Sequence, residues 1–199
     1  MILNVIVTCF NREAYWPHLH AILKSYKTIV PRIAFCYNGE NKDQASDFRV
    51  ANKGIQLGEH ELITGGFGLL LPHAAKWWLK LSVDSWLVDE KKLIGIIDAA
   101  EGADAHYAGS GWDCPDELST DIFFADTAFM KSFCGGFNGK KLEKHAFATA
   151  KKTGNYYIIP ERPSGARNLP GRWSVQELGW TMSHNLNNNL EFVKSYRGQ

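Results

Sequence analysis

The sequence predicts an α/β fold, with helices on both faces of a largely parallel sheet. Apolar, β-rich runs alternate with stretches of helical periodicity, and each strand-like run stops at a polar or glycine-containing turn. The 199 residues suffice for one such domain with a sizeable core, so residues 1–199 are read as a single domain. In sheets of this kind ligands bind outside the carboxyl ends of the strands. The residues that follow each strand are therefore the first candidates for function.

Residues 2–9 form an apolar run that stops at Phe10-Asn11-Arg12, and residues 15–30 carry helical periodicity with Pro17 in the first turn. Residues 32–37 repeat the strand signal and end at the turn dipeptide Asn38-Gly39, and a polar helix is expected over residues 41–50. Asn52 to Gly58 reads as a glycine-spaced loop, followed by a helix over residues 59–75 that Gly65, Gly66 and Gly68 weaken in its middle. Residues 77–83 are a buried strand, and Asp89 is the N-cap of a helix ending near Ala100. Strands at residues 105–108 and 121–125 bracket a loop rich in glycine, carboxylates and Trp112. Such a loop is more often functional than a plain connector. A helix over residues 142–152 closes at Gly154 and leads to a strand over residues 155–159. An irregular Pro/Gly/Arg segment follows, and Ser174 with Glu177 makes a capping box for a last helix.

Lys plus Arg number 22 against 21 Asp plus Glu, which removes any broad electrostatic case for nucleic acid or acidic membrane as partner. The opening residues lack a charged n-region and are too short for a signal peptide, and no later segment suits a bilayer span. Cys9, Cys36, Cys114 and Cys134 show no CxxC or zinc-like spacing, so reduced thiols and a soluble, cytoplasmic protein are expected. Aromatic residues make up 13% of the chain, a content that suits a site stacking flat rings such as bases or sugars.

The run Trp77-Trp78-Leu79-Lys80-Leu81-Ser82-Val83-Asp84 ends in a lone carboxylate. At the carboxyl end of a buried strand, Asp84 is placed to hold a cation against phosphates.

In this order, the motifs resemble those of nucleotide-sugar-dependent glycosyltransferases of the GT-A fold, in particular the family 2-type enzymes. Val5-Ile6-Val7-Thr8-Cys9-Phe10-Asn11-Arg12 is similar to the family's opening strand and nucleotide-contacting loop, with Phe10 in place of a tyrosine. Tyr37-Asn38-Gly39-Glu40 occupies the place of its Asp-Gly-Ser turn, and Asn52-Lys53-Gly54 through Gly58 resembles its Asn-x-Gly segment. Ser82-Val83-Asp84 falls where the family carries Asp-x-Asp, with Ser82 standing at the first aspartate. A Glu-Asp pair that supplies the family's catalytic base corresponds to Leu142-Glu143, and His184 is the best match to a metal-completing histidine.

The resemblance implies a three-layer α/β/α, Rossmann-like GT-A fold with a mainly parallel central sheet. It also implies transfer of a sugar from a UDP- or GDP-sugar to a glycan or other hydroxyl acceptor, with inversion and with Mn²⁺ or Mg²⁺ held by Asp84 and His184. A divalent ion would neutralise the leaving diphosphate as a Lewis acid. An inverting transfer needs a general base near the acceptor hydroxyl. Glu143 is the first candidate, Asp116 and Glu117 are the fallback, and Asp113 is also available. Thr8, Phe10, Asn11 and Arg12 would line the base and ribose, with Asn38 and Glu40 bonding their edges. Lys53 and Gly54 would lie near phosphate, beside Ser82, Val83 and Asp84. Trp112 and Trp86 are candidates to stack on sugar, and Arg162, Arg167 and Arg172 would close over the diphosphate. Two alternatives stand beside this reading: a catalytically degenerate nucleotide-sugar or glycan-binding domain, and a nucleotidyltransferase. The second lacks its glycine-rich basic signature after the first strand.

Overall fold

A computed structural model describes residues 1–73, 75–87, 89–111, 115–139, 141–160 and 181–182; the side chains of Ile55, Trp86, Leu87, Thr181 and Met182 are not described. Nine strands are described: β1 (Ile2–Cys9), β2 (Val30–Tyr37), β3 (Phe48–Arg49), β4 (Trp77–Ser82), β5 (Trp86–Leu87), β6 (Ala105–Gly111), β7 (Leu118–Asp126), β8 (Asn155–Ile158) and β9 (Thr181–Met182). The helices are α1 (Trp16–Lys24), α2 (Ile55–Leu70), α3 (Glu90–Gly102), α4 (Thr127–Gly135) and α5 (Leu142–Thr153).

Seven strands form one sheet in the order β3-β2-β1-β4-β7-β6-β8, and β5 pairs with β9 apart from it. Only β7 runs against its neighbours in the seven-stranded sheet. The carboxyl ends of β1, β2 and β4 consequently share one edge with the start of β7.

Strand alternation builds the core on both faces. Leu3, Val5 and Val7 of β1 join Leu19 and Leu23 of α1 and Leu93, Ile96 and Ile97 of α3. Ile6 turns the other way and joins Leu62 and Ile63 of α2, Phe129 and Phe133 of α4, and Ala146 of α5. Cys9, Cys36 and Cys134 are free thiols. Burial pushes each of them up to about 12, which keeps them protonated and unreactive at neutral pH.

Two local expectations are corrected, and one helix is added. Residues 41–50 form turns and the edge strand β3 rather than a helix. That polar segment has no apolar stripe to bury, and its contacts go to the sheet edge: Asp47 accepts from the Phe35 backbone N–H at 2.8 Å, and Arg49 lies 4.7 Å from the Tyr37 ring centroid. The helix expected over residues 59–75 begins at Ile55 and ends at Leu70. Its glycines serve close packing, since a Cβ on Gly65 would lie 2.1 Å from the Phe48 ring and one on Gly66 2.7 Å from Ile6. α4 was not expected; Asp126 caps it by accepting from the Phe129 N–H at 2.8 Å. The segments around Trp112, Asp113 and Cys114, and from Arg162 through the helix expected at Ser174 to His184, lie outside the described residues apart from Thr181 and Met182.

Glu90, at the start of α3, ties this helix to the loop before β2 by accepting from the backbone N–H groups of Lys27 at 3.0 Å and Thr28 at 2.6 Å, and from that of Ile29. Burial alone would raise its carboxyl, but these N–H groups outweigh it and hold the pKa below the usual carboxylate value. A depressed folded-state pKa stabilises the fold above the unfolded value, and that contribution is lost as pH falls through the folded value. Glu90→Gln is expected to cost about 2 kcal/mol at pH 7. The difference should narrow toward pH 3 in paired urea denaturations, and a pH-independent difference would contradict this assignment.

Candidate functional site

A cavity of about 390 Å³ opens at the shared strand edge. Its wall combines Thr8 near the end of β1, Phe10 and Arg12 just after it, Asn38 after β2, and Ser82, Val83 and Asp84 at the end of β4. Thr120 and Asp121 enter from the start of β7, because that strand runs the opposite way. Two helix starts complete it, with Asn52, Gly54, Gln56 and Glu59 around the first turns of α2 and Leu142 and Glu143 at the first turn of α5. Gly54 is the N-cap of α2 at φ 83°, a left-handed conformation that glycine adopts without strain. Gln56 accepts the Leu142 backbone N–H and so ties the two helix starts together.

Two side chains in this wall are buried with oxygens left unbonded. Glu143 is 6% exposed and Asn38 is 4% exposed, and neither Glu143 Oε2 nor Asn38 Oδ1 has a hydrogen-bond partner among the described residues. Buried polar atoms are nearly always satisfied in folded proteins, so these two oxygens at the cavity wall are left to bond a ligand or water. Gly58 makes room for Asn38, since a Cβ there would lie 2.6 Å from Asn38 Nδ2.

The charges are unevenly balanced. Glu59, Asp84, Asp121 and Glu143 face the cavity, whereas Arg12 is the one cation among its described lining residues. Arg12 forms an ion pair with Asp84, which is itself 7% exposed. Lys80, 1% exposed behind the wall, pairs with Glu59. Among the described residues no group of three His, Cys, Asp or Glu side chains is placed to hold a metal ion. Asp84 nonetheless fits a hard divalent cation of the Mg²⁺ kind, which is commonly held by one or two carboxylates while substrate phosphates and water supply the remaining oxygens.

Thr8, Phe10, Arg12, Asn38, Gly54, Ser82, Val83, Asp84 and Glu143 are thus brought together, and Phe10 offers a ring that is 43% exposed. The other described candidates lie outside the lining. Asn11 accepts the Glu40 backbone N–H at 2.8 Å, and Lys53 pairs with Glu61 at 2.8 Å. Glu117 is buried against Lys141 at 2.6 Å, and Asp116 is exposed and pairs with Lys144 at 3.1 Å. Trp112 and His184 lie outside the described residues, as does the Trp86 side chain. Sequence reasoning passed over Glu59, Lys80 and Asp121. A lysine in the middle of a buried strand was the available signal for the first two, because such a charge needs a partner.

No protein-family model matches this sequence, and no curated protein matches it. Solved structures do match. The mannosyltransferase PcManGT from Pyrobaculum calidifontis, in complex with GDP-Man and Mn²⁺, gives a TM-score of 0.57 at 9% identity, over 85% of this chain and 58% of that one. TarS of S. aureus, in complex with UDP-GlcNAc, gives 0.54 at 10% identity, over 82% of this chain and 57% of that one. The chain thus spans less than two thirds of the length of either. The likeness is one of fold: this chain has a GT-A-like glycosyltransferase fold.

Proposed function

We propose that this chain is a nucleotide-sugar-dependent glycosyltransferase, a single domain that moves a sugar from a UDP- or GDP-sugar to a hydroxyl acceptor with inversion. The carrying observation is the buried Glu143, whose Oε2 has no hydrogen-bond partner among the described residues and which shares one cavity with Arg12 and Asp84 on a GT-A-like sheet. TarS with UDP-GlcNAc and PcManGT with GDP-Man motivate the donor class. Phe10 stacks on the base and Asn38 bonds its edge, while the start of α2 faces the phosphates with its positive end. Glu143 accepts the acceptor hydroxyl's proton at Oε2 as the hydroxyl oxygen bonds to the anomeric carbon and the anomeric carbon–oxygen bond to the diphosphate breaks, the nucleoside diphosphate leaving with the electron pair.

Asp84 would hold Mn²⁺ or Mg²⁺, which when bound supplies Lewis-acid neutralisation of the leaving diphosphate. The acidic balance of the cavity favours such a cation. His184 is proposed as a second ligand; β9 pairs with β5 and so brings Met182 beside Trp86, two residues past Asp84. Arg12 exchanges its contact with Asp84 for one with phosphate when the donor enters. The alternative of a binding domain without turnover is favoured by Ser82 and Leu142, which replace acidic residues of the resembling motifs. No helix of the described residues is long and apolar enough to cross a membrane, and a cytoplasmic setting is proposed from the free thiols.

The test is thermal stabilisation by a panel of nucleoside diphosphates and their sugars, with and without Mn²⁺, on the wild type and Asp84→Ala. A ligand that binds only the folded state at 100 times its Kd contributes about 2.7 kcal/mol. The expected result is a Mn²⁺-enhanced shift for the UDP or the GDP series that Asp84→Ala loses. No stabilisation by any donor would overturn the proposal, and stabilisation without transfer to any acceptor would favour the binding-domain alternative.

A further inference from the structure

Lys80 is a charge in an unusual place. It lies mid-strand between the fully buried Leu79 and Leu81 and is itself 1% exposed. A buried ammonium is tolerated only with good partners, and even then rarely adds stability over an apolar residue. Its partners are specific. Nζ pairs with the Glu59 carboxylate and donates to Ser82 Oγ at 3.0 Å, and Thr8 Oγ1 donates to the same Glu59 oxygen at 2.8 Å. The register explains the grouping, since Ile6 lies beside Lys80 and Thr8 beside Ser82 on the paired strands β1 and β4. Alternation sends Thr8, Lys80 and Ser82 to the sheet face covered by α2, which carries Glu59. Thr8, Glu59 and Ser82 line the cavity, with Lys80 behind them.

A hydroxyl has one proton to give and two lone pairs. Lys80 can only donate, so it takes a lone pair of Ser82 Oγ, and among the described residues no hydrogen-bond acceptor takes the Ser82 proton. That proton is left for a ligand. The charge-assisted bond from Lys80 polarises the hydroxyl and strengthens its donation. A hydroxyl committed in this way matches a group that only accepts. Phosphate oxygens are such a group and, being charged, accept more strongly than a ribose hydroxyl does.

We infer that Ser82 donates a hydrogen bond to a phosphate oxygen of the bound nucleotide, and that Lys80 and Glu59 are the positioning residues that orient it. This deepens the donor-site reading above and rests on it. An acidic side chain at position 82 would repel that oxygen unless a cation intervened; Ser82 engages it directly. Part of the phosphate affinity therefore persists without metal.

The experiment is calorimetric titration of UDP, GDP, uridine and guanosine in EDTA and in Mn²⁺. The proteins are the wild type, Ser82→Ala, Ser82→Thr and the double variant Lys80→Met/Glu59→Gln, which removes the buried ammonium together with its partly exposed carboxylate partner so that neither charge is left unpaired. Ser82→Ala is expected to weaken the bound diphosphate about tenfold, equivalent to about 1.4 kcal/mol, in both buffers. The matching nucleoside should be unaffected, Ser82→Thr should restore the affinity, and the double variant should behave as Ser82→Ala. Diphosphate affinity unchanged in Ser82→Ala, or equal losses for nucleoside and diphosphate, would overturn the inference while leaving the donor site standing. A wild type that binds neither UDP nor GDP in either buffer would overturn the donor-site reading, and the inference with it.

Discussion

Replacing Glu143 by glutamine is expected to lower the turnover of sugar transfer by about 10²–10⁴-fold, the range that a positioned general base supplies. The amide keeps the shape of the side chain but cannot take the acceptor's proton, so donor binding should be unchanged. Steady-state kinetics with donor stabilisation measured in parallel would separate the two. Asp116→Asn serves as the control, because that carboxylate is exposed on Lys144 and outside the cavity lining, and its turnover should match the wild type. A Glu143→Gln turnover within threefold of the wild type would remove Glu143 from the role of base.

Phe123→Ala should have the largest effect on the fold, about 3–5 kcal/mol as for other buried aromatic truncations. The ring is 0% exposed and lies 5.5 Å from Tyr107, 6.0 Å from Phe129 and 6.1 Å from Phe133, centroid to centroid. It therefore joins β6, β7 and α4 in one aromatic cluster. That loss is a large share of the stability a domain of this size typically has, about 5–15 kcal/mol. Because β7 also delivers Thr120 and Asp121 to the cavity, donor affinity should fall with stability. Urea denaturation would measure the cost, and a value under 1 kcal/mol would show that this cluster is not a principal part of the core.

Much of the architecture was legible because it rests on local pattern. β1 and β4 are predominantly apolar runs, broken only by Asn4 and Thr8 in the first and by Lys80 and the terminal Ser82 in the second, as strands buried on both faces tend to be. Asp89 accepts from the N–H groups of Lys91 at 2.9 Å and Lys92 at 3.2 Å, as its N-cap reading requires. What was misread depended on partners distant in sequence. The glycines of α2 look like helix breakers until Phe48 and Ile6 are seen filling the space where a Cβ would stand. Residues 41–50 have enough polar helix formers to suggest a helix, but the sheet edge takes their hydrogen bonds. The site divides in the same way. Asp84 and Asn38 could be picked out because they follow strands, and Glu143 because its neighbourhood resembles a known motif. Asp121 could not, since its place at the cavity follows from β7 running antiparallel to β4.

The sequence by itself determined an α/β chain with near-balanced charge, and it placed a lone carboxylate at the end of a buried strand, because periodicity and turn chemistry act within a few residues. Only the tertiary structure decided that Glu143 and Asn38 bring oxygens without a partner among the described residues into the cavity that Asp84 lines, and that Lys80 reaches Ser82 and Glu59. Burial and hydrogen-bond satisfaction are properties of what surrounds a side chain, and those surroundings come from strands and helices far apart along the chain.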